Sequence, residues 1–348
     1  MVQWVIDEEQ HEVQKRKKRS LSFNLAGFSL QRQAAFSLDN FNRVNDIYNW
    51  LRTVSQSTAC QGKCSLFDLP KNSYEGRPLR GIKIGTPKPG TTKPAIWVDA
   101  GIHAREWIAP ASALYFINKL ITDYNTPDVK FMVDTYDWYI LPVANPDGYE
   151  YTHTQDRMWR KTRSKQSYSC YGVDPNRNFN FHWGESGTSQ YPCAETYGGK
   201  RAFSEPETQA MRDFIYSKRH IIKTYISLHS YGNYWLTSWG YTRNLPSDYQ
   251  ELLNIAKKGS DAILSVRGQS YSFGSAGVLL YPAAGGSDDW AKGKAGIKYS
   301  YTIELSPGDQ TSDRWYGFNL PASHIPRVGE DLFKGLKVVA EAVEEKLR

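Results

Sequence analysis

The chain has 348 residues, 40% hydrophobic and 14% aromatic, with a formal net charge of +7. That length suits one large α/β domain, which can bury a substantial core without a metal or disulfide staple. The basic excess is dispersed among acidic residues, which argues against nucleic acid, and no stretch approaches the roughly 18 apolar residues of a membrane span.

Met1 is not followed by an apolar signal core, so the sequence is expected to begin inside a longer precursor. The basic run Lys15-Arg16-Lys17-Lys18-Arg19 is open to two readings, a nucleic-acid or localisation patch and a protease-sensitive junction. Further on, Ser37 is expected to cap a helix that presents Phe41, Val44, Tyr48 and Leu51 on one face. Short apolar runs at 79–84, 95–98, 138–141, 224–228 and 299–305 read as strands. Several are too apolar to be half exposed, as in a buried, largely parallel sheet. Between them, Ser204 and Glu207 form a capping-box pattern around Pro206. Ser247 and Gln250 mark the start of a helix carrying Leu252, Leu253, Ile255 and Ala256, and a last helix spans 327–347. Strands alternating with helices predict a single-domain α/β fold, a mixed, centrally parallel twisted sheet with helices on both faces. Gly- and aromatic-rich connections at 145–200 and 231–247 are candidate active-site loops.

Four cysteines, Cys60, Cys64, Cys170 and Cys193, allow three pairings and do not form a CxxC…CxxC zinc pattern. Their spacing suggests a tight Cys60–Cys64 loop and a longer Cys170–Cys193 loop, hence an oxidising compartment. Four free buried thiols are the alternative.

A zinc hydrolase site needs neutral imidazoles, a carboxylate and an open coordination position. His103-Ala104-Arg105-Glu106 follows the strand at 95–98, and His229 follows the strand at 224–228. Strand ends are where open α/β sheets place their ligands. On spacing alone, a pair of core histidines fits as well. His11 lies in the N-terminal stub. His153, His182, His220 and His324 read as structural or solvent-facing, for want of an acidic or cysteine partner at ligand spacing.

Seven segments decide the matter. They are Gly101-Ile102-His103-Ala104-Arg105-Glu106-Trp107-Ile108, Asn145-Pro146-Asp147-Gly148-Tyr149, Trp159-Arg160-Lys161-Thr162-Arg163 and Asp174-Pro175-Asn176-Arg177-Asn178. Ser227-Leu228-His229-Ser230-Tyr231, Tyr281-Pro282-Ala283-Ala284-Gly285-Gly286-Ser287 and Tyr301-Thr302-Ile303-Glu304-Leu305 complete the set. In this order, from about residue 37 to the C-terminus, they resemble zinc metallocarboxypeptidases of the pancreatic A/B type, nearer the B type. The resemblance implies one zinc ion per chain, held by His103, Glu106 and His229, with Asp174 hydrogen-bonded behind His103. It implies Glu304 as general base for a zinc-activated water, and Arg160 as the guanidinium that steadies the developing oxyanion. Lys161 and Arg163 read as surface charges. For the substrate's terminal carboxylate it implies Asn176 and Arg177, with Tyr281 closing over the bound residue and Arg105 in the substrate groove.

The resemblance implies that Asp288, in Gly286-Ser287-Asp288-Asp289-Trp290, holds the position that selects C-terminal Lys or Arg, while Asp289 does not discriminate. Departures at Gly240 and Ala276, and in the lysine-bearing segment 290–295, bear on the strength of that preference. The same chemistry with an apolar preference is one rival reading. A non-catalytic binding module is another, but it would have lost a ligand or the base, and none is lost. The resemblance also makes residues 1–19 the remnant of an activation propeptide cut at Lys15–Arg19 by a trypsin-like protease, and 20–348 the catalytic domain. It further implies a secreted monomer that acts on peptide or protein C-termini and meets protein carboxypeptidase inhibitors.

Overall fold

The computed structural model describes residues 36–348. The expected propeptide remnant and its cleavage run lie outside them. Eight strands are present among the described residues: β1 (Cys64–Asp68), β2 (Arg80–Ile84), β3 (Ala95–Ala100), β4 (Asp137–Leu141), β5 (Ile222–Gly232), β6 (Tyr234–Thr237), β7 (Ser272–Ser275) and β8 (Tyr299–Gly308). They form one sheet in the order β1-β2-β4-β3-β5-β8-β6-β7. The centre, β4-β3-β5-β8, is parallel; β1–β2, β2–β4 and β8–β6 are antiparallel, and β6–β7 at the far edge is parallel again. The helices are α1 (Val44–Ser55), α2 (Ile108–Thr122), α3 (Pro127–Thr135), α4 (Pro146–Thr154), α5 (Pro206–Lys218), α6 (Tyr249–Arg267), α7 (Ala276–Leu279), α8 (Ser287–Gly293) and α9 (Ile325–Leu347).

Strand alternation builds two cores. Ile96, Val98 and Ala100 face the larger cluster with α1, α2, α6 and α9, while Ala95 and Trp97 face a smaller one with α5 and α8. With helices on both faces, the central strands are buried along most of their length, which explains why they are largely apolar. The α9 helix buries Val328, Leu332, Leu336, Val339 and Val343 at the expected spacing of three or four.

Several boundaries differ from expectation. The first helix starts at Val44, and the Ser37 hydroxyl instead accepts from the Asp39 amide in a turn. No capping box forms at α5. Ser204 donates to the Glu205 carboxylate, and Glu207 accepts from the Tyr74 amide. Position Asp248, not Ser247, precedes α6, and it makes no side-chain cap bond. The 231–247 connection contains β6, so it is only partly loop. Both expected disulfides are present, Cys60–Cys64 and Cys170–Cys193.

Candidate active site

Three strand ends converge on one cavity of about 370 Å³. His103 and Glu106 lie between β3 and α2, in the loop at the carboxyl edge of the parallel strands. His229 belongs to β5 itself, which runs four residues past the expected end to Gly232. Register then sets Glu304 of β8 directly beside His229.

His103, Glu106 and His229 are 4%, 2% and 1% exposed. Their ligand atoms lie within 4.8 Å of one another. His103 Nδ1 is 2.7 Å from Glu106 Oε1, and His229 Nδ1 is 3.0 Å from Glu106 Oε2. The two Nδ1 atoms face each other at 3.1 Å, close enough to share a proton or one metal ion. Each imidazole is oriented from behind through Nε2. Asp174 Oδ1 accepts from His103 Nε2 at 3.1 Å. His229 Nε2 lies 3.1 Å from the Ser227 hydroxyl, whose single proton goes to Asp99 Oδ1 at 2.7 Å. The serine therefore accepts from His229, and a neutral imidazole at either position turns its Nδ1 lone pair inward.

The electrostatics agree. Burial alone would raise the Glu106 carboxyl, yet the two imidazoles hold it well below the usual carboxylate range. Burial and the Arg160 charge push His103 down. Burial opposes charge on His229 too, but Glu106 and then Glu304 overcome it and lift it to about 9. The spot draws a positive charge, and a His–Glu–His donor set with inward lone pairs fits zinc.

Around this cradle, Asp174 does two tasks. Besides meeting His103 it receives Arg160 Nε at 3.1 Å and Nη2 at 2.9 Å, which leaves Arg160 Nη1 4.0 Å from Glu106. Burial would raise Asp174, but the charges of Arg160 and His103 hold it well down. Glu304 stands in the cavity wall, pushed up to about 8 by burial, with Glu106 and Asp288 adding to the rise. Arg177 is buried and fixed by Gly187 O and Asn176 O, at 3.0 and 2.9 Å, and it lines the cavity with Asn176. Asp288 is also buried in the lining, 6% exposed, accepting from Thr302 Oγ1 at 3.0 Å and from the Asp289 amide at 2.9 Å. Tyr281 stands exposed at the mouth.

Arg105 is set just outside this lining. Its Nη1 meets Glu195 at 3.2 Å, and its guanidinium lies 4.4 Å over the Phe318 ring, itself part of the wall. Lys161 is no surface charge, being 2% exposed with Nζ on Pro192 O at 2.8 Å. His182 does have an acidic partner, Glu185 at 2.9 Å, but the pair is on the surface. The 290–295 lysines leave the pocket alone: Lys292 binds Asp248 at 2.6 Å, and Lys294 is exposed. Asp99 and Ser227 went unrecognised in the sequence. The available signal was an acidic residue inside an otherwise apolar strand, Ala95-Ile96-Trp97-Val98-Asp99-Ala100.

A cradle that can hold a divalent ion, beside a carboxylate and a guanidinium, is the equipment of metal-assisted hydrolysis. A zinc carboxypeptidase (peptidase M14) profile matches residues 47–335, and the chain belongs to the zinc carboxypeptidase family. It is 46% identical to a carboxypeptidase B from Astacus astacus, over 78% of this chain and 88% of that one. It is 39% identical to a carboxypeptidase A2 from Rattus norvegicus, over 99% and 77%. Bovine thrombin-activatable fibrinolysis inhibitor, solved with a tick carboxypeptidase inhibitor, superposes with a TM-score of 0.81 at 37% identity, covering 89% of this chain and 99% of that one. The chain is thus a metallocarboxypeptidase with relatives of both A and B type. No helix among the described residues is long and apolar enough to cross a membrane.

Proposed function

We propose that this enzyme removes C-terminal Lys and Arg from peptides, using one zinc ion held by His103, Glu106 and His229. The ion supplies an acidified water and a Lewis acid for the scissile carbonyl. Glu304 accepts the proton of the attacking water and returns it to the leaving amine, a task for which a carboxyl raised by burial is suited. Arg160, anchored by Asp174, presents its remaining nitrogen to the oxyanion as charge develops. Arg177 and Asn176 clamp the terminal carboxylate, and Tyr281 closes over the bound residue.

One observation carries the basic preference: Asp288 is buried in the cavity with no cationic partner among the described residues. A buried carboxylate left unpaired is costly, and a Lys or Arg guest relieves it. The opposite preference draws support from Leu236, Gly240, Ala276 and Leu280 in the same wall, and from the A-type relative. Peptides that differ only in their last residue separate the two readings. Arg and Lys should be cleaved far faster than Leu and Phe. Asp288→Ile should lower cleavage at Arg and Lys by about two to four decades, from about 3–5 kcal/mol for a broken buried pair at 1.36 kcal/mol per decade. Arg177→Ala should weaken all substrates alike. An unchanged Arg-to-Leu ratio in Asp288→Ile would remove Asp288 from the pocket's role.

The wider setting belongs to the same proposal. Two disulfides suit secretion into an oxidising compartment. Activation by a trypsin-like protease at Lys15–Arg19, action as a monomer and capture by protein carboxypeptidase inhibitors extend it.

A further inference from the structure

The cavity has two halves, and strand β8 orders them. Thr302 touches Asp288, Glu304 comes two residues later, and Asp309 follows directly after the strand. Asn176 Oδ1 accepts from the Ser287 amide and Asp289 accepts from the Gly240 amide, which sets Asn176, Arg177 and Gly240 on the Asp288 side. On the other side of Glu304 the wall is Tyr231, Phe318 and Asp309. Tyr231 and Phe318 pack edge to face at 5.0 Å, and the Asp309 amide bonds Gly232 O at 3.4 Å. If the terminal carboxylate sits at Arg177 and the scissile carbonyl by Glu304, the peptide before the scissile bond must leave over this second half. That premise rests on the reading given under Proposed function.

Asp309 is well placed to meet it. Its carboxylate is exposed at the cavity wall, and no Lys, Arg or His pairs with it among the described residues. One oxygen is fixed by the Tyr234 hydroxyl at 2.7 Å, so the group is aimed rather than free to swing. That hydrogen bond, with burial, pushes the Tyr234 phenol up to about 12, so it remains a donor at neutral pH. Of the cations beside this half, Arg105 is engaged by Glu195, Met158 O and the Phe318 ring, and Arg157 by the Phe318 and Arg105 carbonyls. Asp309 is five positions after Glu304, at most roughly 16 Å at strand rise, which an extended peptide with a long side chain covers in two or three residues.

We propose that Asp309, oriented by Tyr234, is a specificity-determining residue that favours Lys or Arg at the second and third residues before the scissile bond. The preferred substrate class is then a C-terminus that is basic over several residues.

The test uses the active enzyme and three peptides with the same C-terminal Arg. Their second and third residues before the scissile bond are both Lys, both Ala or both Glu. Wild type should rank them Lys, Ala, Glu in kcat/KM, with roughly three- to fivefold between neighbours at low salt and less at high salt, as for exposed ion pairs. Asp309→Asn should bring the Lys-to-Ala ratio close to one, and Tyr234→Phe should lower it partway. The ratio is the readout, so a general loss of activity cannot imitate the effect. Good turnover with a flat ranking, or an unchanged ratio in Asp309→Asn, overturns this assignment alone. Failure to cleave any of the three overturns the proposed function and this inference with it.

Discussion

Glu304 faces opposing fields in the cavity wall. Burial raises it, and so do Glu106 and Asp288, while His229 and Arg160 pull the other way. A carboxyl so placed gains from accepting a proton, which is what a general base must do near neutral pH. Glu304→Gln keeps the shape and removes the basicity. It should bind zinc in the wild-type ratio by elemental analysis, yet lose roughly 10²–10⁴-fold in turnover. Near-normal turnover would move the base elsewhere. The neighbouring Asp288 and Asp289 show how environment divides like residues. Asp289 is wholly enclosed and accepts from the amides of Gly240 and Tyr241 at 2.8–2.9 Å, tying the loop after β6 to α8. Asp288 shares its oxygens with a threonine and one amide, and it lines the cavity. The first has structural work within the chain, and the second faces a guest.

At the scale of the element, register does what motifs cannot announce. Asp99 on β3 pairs with Ser227 on β5, and Ser227 shares a strand face with His229 two residues on. The sheet therefore stacks Asp99, Ser227 and His229 into one hydrogen-bonded line. Ser227→Ala cuts that line without touching a ligand, and loss of such a partner typically costs 10–100-fold in metal affinity. Competition with a chelator should show zinc leaving the variant at a correspondingly lower chelator concentration. Unchanged retention would mean that packing alone orients His229. This line was invisible beforehand because pairing between strands some 130 residues apart leaves no local pattern. The ligands themselves were legible, since His103, Glu106 and His229 sit in distinctive segments at the ends of fully apolar runs. The central strands β3, β4, β5 and β8 were legible for the same reason, being buried on both faces. Strands β1, β6 and β7 are only four or five residues long, and two of them are partly exposed, so they lacked a readable run. Helix starts differ from the sequence pattern where serines take local turn or side-chain partners in place of the helix amides.

Taken whole, the molecule is a sheet between two cores, and distant segments are clasped at its rim. Residues 73–77 form one such clasp. Ser73 Oγ, the Glu75 amide and Arg77 Nη1 all donate to Asp147 of α4, at 2.6–2.7 Å, while the Tyr74 amide donates to Glu207 of α5 at 2.9 Å. Glu207 is 1% exposed, and its other oxygen, Oε2, has no hydrogen-bond partner. Burial, reinforced by the Glu205 and Asp147 charges, pushes its carboxyl up to about 8. In the unfolded chain it titrates near the ordinary value of about 4.3. Between these values the folded state holds a proton that the unfolded state has released, so stability falls as pH rises through the window. Glu207→Gln removes the titration and keeps an oxygen for the Tyr74 amide. The variant should therefore gain on wild type as pH climbs, by up to about 1.4 kcal/mol per unit. Thermal midpoints of both proteins at pH 5 and pH 8 measure this directly. The variant's midpoint, relative to wild type, should be higher at pH 8 than at pH 5. A difference that stays constant between the two would show that Glu207 is already ionised in the fold, and that the clasp holds a charge and not a proton.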